Sequence, residues 1–232
     1  MQDIKNDMNA LLNAHTQRGR SRSPYVRLTS NVLPEAQRSQ TGVSSDYVQK
    51  ANHEWFVLRV TYNRAKKANG IISKSGVQAY MPMHYVIKKE IGKKKRILQP
   101  LLPNLLFVYA TREAVNSIIK KKEDEISVLR FYLDKTKPLE INGKHPPITI
   151  PFTAMINFIK ATSTDNEHVR VVSSEQCHFK SGDMVRVTGG EFEGVTGKVA
   201  RIAGQQRVVV EILGLCLVAT AYVPTDFIEF IK

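Results

Sequence analysis

Lys180-Ser-Gly-Asp-Met-Val-Arg-Val-Thr-Gly-Gly-Glu-Phe-Glu-Gly-Val-Thr-Gly-Lys-Val-Ala-Arg-Ile-Ala203 decides how the chain is read. Ser181-Gly182-Asp183 has the composition of a turn. Val185 and Val187 then alternate with Met184 and Arg186, the period of a half-buried strand. Gly189-Gly190-Glu191-Phe192-Glu193-Gly194 is a glycine-rich loop carrying one aromatic, and a second alternating strand runs through Val199, Arg201 and Ile202. Downstream, Gln206–Leu213 and Leu215–Val223 are two more strands about Gly214, and Phe227–Ile231 is a fifth. Five short strands in this space predict a small closed barrel.

Upstream of that unit the composition changes three times. Residues 1–52 carry a short amphipathic stretch, Asp3–His15, too short to be a stable helix alone, then the arginine–serine run Arg18–Pro24. They are expected to be a largely disordered extension. At Trp55 an aromatic and β-branched strand begins, Trp55–Thr61. Asn63 is placed to cap a helix over Arg64–Ser75, with Gly76 ending it. Val77–Pro82 is a short strand. Met83–Ile91 and Arg96–Leu101 form a hairpin turning at Gly92-Lys-Lys-Lys95. Pro103–Tyr109 is almost wholly apolar, which suits a central strand covered on both faces. Thr111 caps a helix to about Lys121, Ile126–Leu133 is a strand, Lys135–Pro147 a loop, and Pro151 opens a last helix with Phe152, Met155, Ile156 and Ile159 inside. The order predicts an α+β domain over 53–163, an antiparallel sheet flanked by helices. A polar linker over 164–176 and the barrel over 177–232 follow.

Charge separates the two folded parts. The chain carries a net +13. Residues 177–232 hold six basic and six acidic side chains, whereas residues 53–176 hold 21 basic and 11 acidic. A basic excess confined to one domain favours a polyanionic partner for that domain. No apolar run approaches the roughly 18 residues of a membrane span, so no membrane partner is expected. The two cysteines, Cys177 and Cys216, read as free thiols in a reducing cytoplasm. Cys177-His178 has no second pair at ligand spacing, so neither metal nor cofactor is expected. The glycine loop lacks the Gly-Lys-Ser/Thr of a phosphate-cradling loop. No catalytic constellation stands out, and an enzyme is not expected.

The glycine-rich hairpin resembles the KOW motif of SH3-like barrels in transcription and ribosomal proteins. Joined to Trp55-Phe-Val-Leu58, Tyr80-Met-Pro82 and Gln99-Pro-Leu-Leu-Pro-Asn-Leu-Leu-Phe-Val108, it resembles a NusG-type factor, an NGN domain followed by a KOW domain. The Pro-Asn-Leu run and Gly-Glu-Phe-Glu-Gly are similar to the RfaH branch. Trp55–Lys67, Leu129-Arg-Phe-Tyr132, Gly204-Gln-Gln-Arg207 and Ala219–Pro224 are similar to the UpxY antiterminators of surface (capsular) polysaccharide operons. The resemblance implies that Leu102, Leu105 and Phe107 meet the clamp coiled coil of RNA polymerase. Leu105 stands where an aromatic is usual. It implies that Asn116 and Ser117 touch the opposite side of the polymerase cleft. Arg64, Lys66 and Lys67 fall where such proteins meet the non-template DNA strand. Lys93, Lys94, Lys95 and Arg96 on the hairpin suit sequence-independent phosphate contact, as with upstream duplex DNA or nascent leader RNA. Phe192 is read in two ways, as an exposed aromatic that docks a KOW partner, Rho or a ribosomal protein of the small subunit, or as a plug of the barrel. Val208-Val-Val210, Gly204 and Gly214 are poor helix material, so a barrel that stays a barrel is expected. Two rival readings are a general NusG-type elongation factor and an RNA-binding KOW protein of ribosomal type.

Overall fold

β1 (Glu54–Val60) is the axis of an antiparallel N-terminal sheet. In this computed structural model the described residues are 47–61, 64–90, 92–121, 129–212 and 214–231, with no side-chain description for Glu90 and residues 180–183. The expected extension up to residue 46, the Asn63 cap and the start of the strand expected from Ile126 lie outside them. One side of β1 pairs with β5 (Leu105–Ala110), which pairs in turn with β2 (Gln78–Tyr80). The other side pairs, end to end, with β6 (Leu129–Phe131) and β7 (Thr149–Ile150).

Strand alternation divides the core into two layers. Phe56, Leu58, Leu106 and Val108 meet α1 (Ala65–Lys74) and α2 (Arg112–Lys120) through Ala65, Ala68, Ile72, Val115 and Ile118. Trp55, Val57, Phe107 and Tyr109 meet α3 (Phe152–Thr162) through Met155, Phe158 and Ile159. Each buried Val, Leu, Ile, Phe or Met among them contributes roughly 1.5–3 kcal/mol. Thr111 caps α2 by accepting the Ala114 N–H at 3.3 Å, and Pro151 stands at the cap of α3. Gly76, at φ +78°, follows the end of α1 in a conformation that suits a residue without Cβ. The domain starts earlier than residue 53. Tyr47 packs on Trp55, ring centroids 5.5 Å apart, and the Lys50 N–H donates to the Tyr109 hydroxyl at 2.7 Å.

β3 (Met83–Glu90) and β4 (Lys93–Pro100) form a separate two-stranded hairpin. Lys93–Lys95, expected in its turn, are strand residues paired to Glu90, Lys89 and Lys88. Gly92, at φ +74°, supplies the reversal.

The C-terminal unit is a six-stranded antiparallel sheet in which the last strand in sequence lies at one edge and the first at the other. Its strands are β8 (Arg170–Val172), β9 (His178–Val187), β10 (Thr196–Ile202), β11 (Gln205–Ile212), β12 (Cys216–Tyr222) and β13 (Ile228–Phe230). The expected turn at Ser181-Gly182-Asp183 lies inside β9. The register jumps there: Lys198 pairs with Met184, but Ala200 pairs with Phe179. The extra residues are taken up as a bulge rather than a reversal. Ala203 and Gly204, both at positive φ, make the two-residue turn between β10 and β11.

The expected linker is built into the fold. Its residues 170–172 are β8, which pairs with β12 and forms one edge of the sheet. Before it, the Asp165 carbonyl accepts from Arg96 at 2.6 Å, Asn166 donates to Glu191 at 2.8 Å, and the His168 carbonyl accepts from Arg207 at 2.9 Å. The last helix, α3, packs against β11 and β12 as well as β1. Asn157 seals this contact by donating to the Thr196 carbonyl at 2.6 Å and accepting its N–H at 2.8 Å.

Candidate functional site

The face expected to meet polymerase is only partly open. Phe107 is fully buried, its ring centroid 5.5 Å from that of Phe158, and cannot touch a partner in this arrangement. The reason is the alternation itself: Phe107 shares its side of the sheet with Trp55 and Val57, and α3 lies across that side. Leu102 is buried at the edge of the same cluster, and Leu105 is half-buried. Leu105 is thus the accessible member of the three. Asn116, half-buried, and Ser117, exposed, sit on α2, which covers the opposite layer of the sheet. The Ser117 hydroxyl donates to the Glu113 carbonyl at 3.0 Å. The structure does not bring these two together with Leu105.

One bond ties the helix that carries the first expected nucleic-acid patch to the hairpin that carries the second. The Lys66 ammonium at the start of α1 donates to the Leu98 carbonyl on β4 at 3.2 Å, so Arg64, Lys66 and Lys67 open beside the base of the hairpin. Along the hairpin Lys88 stands opposite Lys95, and Lys89 opposite Lys94. Like charges at directly paired positions repel, and every residue from Lys93 to Arg96 is exposed. Arg96 differs from its neighbours. Its guanidinium lies 3.7 Å from the centroid of the Tyr85 ring and donates to the Asp165 carbonyl, so it is engaged within the fold. Lys88 and Lys89 join the patch in its place. Sequence reasoning passed over them because they precede the turn, and only the strand register reveals their pairing.

Phe192 is buried in the core rather than exposed. The glycine loop folds back, with Gly194 N–H bonded to the Val187 carbonyl and Val195 N–H to the Phe192 carbonyl. The exposed aromatic at this loop is Phe227, whose ring packs over Gly189 and Gly190; a Cβ at either glycine would lie 3.3 Å from it.

Cys177 and Cys216 are free thiols. Burial pushes both above the ordinary thiol range, Cys216 to about 12, which leaves them protonated and poor nucleophiles. Among the described residues no helix is long and apolar enough to cross a membrane. β1, α1, the hairpin, β5 and α2 lie within the segment that carries the chain's relationship to known proteins.

Residues 53–148 match the transcription termination factor NusG family. The NusG match covers about two fifths of the chain and supports a NusG-type transcription elongation or antitermination factor. NusG-family proteins are transcription factors that bind RNA polymerase, not enzymes. No curated protein matches the chain significantly.

Proposed function

We propose that this NusG-type chain is an operon-specific transcription antitermination and elongation factor that rides on RNA polymerase and suppresses pausing and termination. The NusG match over residues 53–148 is the observation that carries this reading. Similarity of Leu129–Tyr132 and Gly204–Arg207 to the UpxY group directs it to surface polysaccharide operons. Leu105, with Leu102 at its edge, meets the clamp coiled coil, while Phe107 acts from beneath by fixing the strand against α3. Asn116 and Ser117 meet the far side of the polymerase cleft. Arg64, Lys66, Lys67 and the hairpin lysines hold phosphates of the non-template strand, upstream duplex or leader transcript, through contacts that carry little sequence information. The neutral C-terminal sheet acts as a KOW-type barrel that docks Rho or a ribosomal protein, with Phe227 as its exposed aromatic.

Polymerase pull-down tests the contact. Leu105→Asp places a charge on the apolar surface and is expected to cut polymerase recovery at least fivefold; recovery equal to wild type would overturn the contact. Transcription through a terminator tests specificity. Read-through is expected only on templates bearing the cognate leader, and equal read-through without it would favour a general elongation factor.

A further inference from the structure

A second cationic feature lies at the other edge of the N-terminal sheet, away from the hairpin. Arg59 on β1 and Arg130 on β6 are directly paired positions, and both are exposed. Cross-strand partners project to one face with Cα atoms about 4.5–5.5 Å apart. Two guanidinium groups so placed repel unless an anion lies between them. Neither has a carboxylate partner among the described residues. Both line a cleft of about 970 Å³ between this edge and the β11–β12 end of the C-terminal sheet.

The remaining walls narrow the class of ligand. Tyr132, two residues beyond Arg130, is 37% exposed and lines the same cleft, as do Lys135 and Lys137. Two carboxylates also face it. Asp134 is already engaged: its carboxylate accepts the Thr136 N–H and hydroxyl, and Lys137 stands at 3.5 Å. Glu211 enters from the opposite wall, on β11. A basic groove with an aromatic ring beside it fits a backbone of spaced phosphates bearing flat bases. An isolated oxyanion would need the arginines but not the tyrosine. Double-stranded nucleic acid offers no free base face to stack on that ring.

We propose that this cleft binds single-stranded nucleic acid, with Arg59 and Arg130 gripping a phosphate and Tyr132 stacking on an adjacent base. The site is distinct from the hairpin patch and does not depend on polymerase contact. Glu211 opposes the bound strand and limits its affinity.

Fluorescence anisotropy with labelled U12 and dT12 oligonucleotides over a salt series tests it. The full chain is used with Arg64, Lys66, Lys67, Lys88, Lys89, Lys93, Lys94 and Lys95 changed to Gln, so that the remaining binding reports the cleft. Arg59→Ala with Arg130→Ala is expected to weaken binding at least tenfold and to flatten the salt dependence by about 0.7 in log–log slope for each phosphate no longer held. Tyr132→Leu is expected to weaken it at least fivefold with the slope unchanged, and Glu211→Gln to tighten it. Preference for U12 would assign the site to transcript, preference for dT12 to a DNA strand; either supports the cleft. Unchanged affinity in the arginine and tyrosine variants would overturn the proposal. So would binding abolished with the arginines, untouched by Tyr132→Leu and displaced equally by poly-glutamate, which marks an acidic protein surface. As a check free of folding effects, ultraviolet crosslinking of the wild-type chain to U12 is expected to label a peptide containing Tyr132. Crosslinks confined to the hairpin would overturn the assignment.

Discussion

Asn69 is fully buried on α1, and neither its amide nitrogen nor its oxygen has a hydrogen-bond partner among the described residues. A buried polar group left unpaired costs about 1–3 kcal/mol. Asn69→Ala removes both unpaired groups, adds no volume and suits a helix interior, and is therefore expected to raise the thermal midpoint by several degrees, measured by calorimetry. Gly197 is the opposite case. A Cβ there would stand 2.3 Å from the Val209 carbonyl oxygen, which belongs to a paired strand and has no room to retreat. Gly197→Ala is expected to destabilise the C-terminal sheet by about 1–3 kcal/mol or more through overpacking, seen as a lower denaturation midpoint. Arg207 is buried without a carboxylate partner among the described residues. Its guanidinium instead donates to the carbonyls of His168 and Thr220 and to Gln205. Burial and the neighbouring Arg170 lower its pKa from the ordinary arginine value. Hydrogen bonds to neutral carbonyls, not ion pairing, hold that cation in place.

Elements with a repeating apolar pattern were legible in the chain. β1, β5, β11, β12 and the three helices lie where alternation puts them, with Thr111 and Pro151 at the starts of α2 and α3, because burial of one face leaves a period in the sequence. Features set by tertiary context were not. β8 reads as polar linker because Arg170, Val171 and Ser173 are exposed, and only Val172 is buried beside Leu217 of β12. The hairpin lysines read as a turn because a two-stranded ribbon exposed toward its tip shows no apolar period there. Of the candidate surfaces, the basic patches were legible from composition. The burial of Phe107 and Phe192 was not, since a strand's alternation says which residues share a face but not which face is covered. One loop has a pH signature. Arg112 at the start of α2 grips Glu140 through two bonds of 2.7 and 2.6 Å. The Arg112 hydrogen bonds hold the Glu140 carboxyl below the usual range, so the pair is fully present above the unfolded carboxylate pKa of roughly 4.3 and is lost as pH falls through the lowered folded value. Limited proteolysis around Glu140 is expected to accelerate only on acidification past that point, whereas Glu140→Gln is expected to accelerate it at neutral pH.

Across the whole described structure α3 is shared property. Its Met155, Phe158 and Ile159 belong to one apolar cluster that includes Trp55 and Phe107 on one side and Val208, Val210 and Val218 on the other. Asn157 adds two hydrogen bonds to the Thr196 backbone, each contributing about 0.5–1.5 kcal/mol net. Asn157→Ala is expected to speed amide exchange at Thr196 and along α3 more than in β2 or α2, read by hydrogen–deuterium exchange; uniform protection would show that the apolar contact alone holds the two sheets. The pairing of β8 with β12 has a practical consequence for anyone dividing the molecule. A fragment cut at residue 177, where composition invites the cut, would leave β12 as a bare edge and Arg207 without its His168 acceptor. Such an edge is a template for pairing with a second copy, so that fragment would self-associate, while one begun at Asn166 would keep its own guard strand.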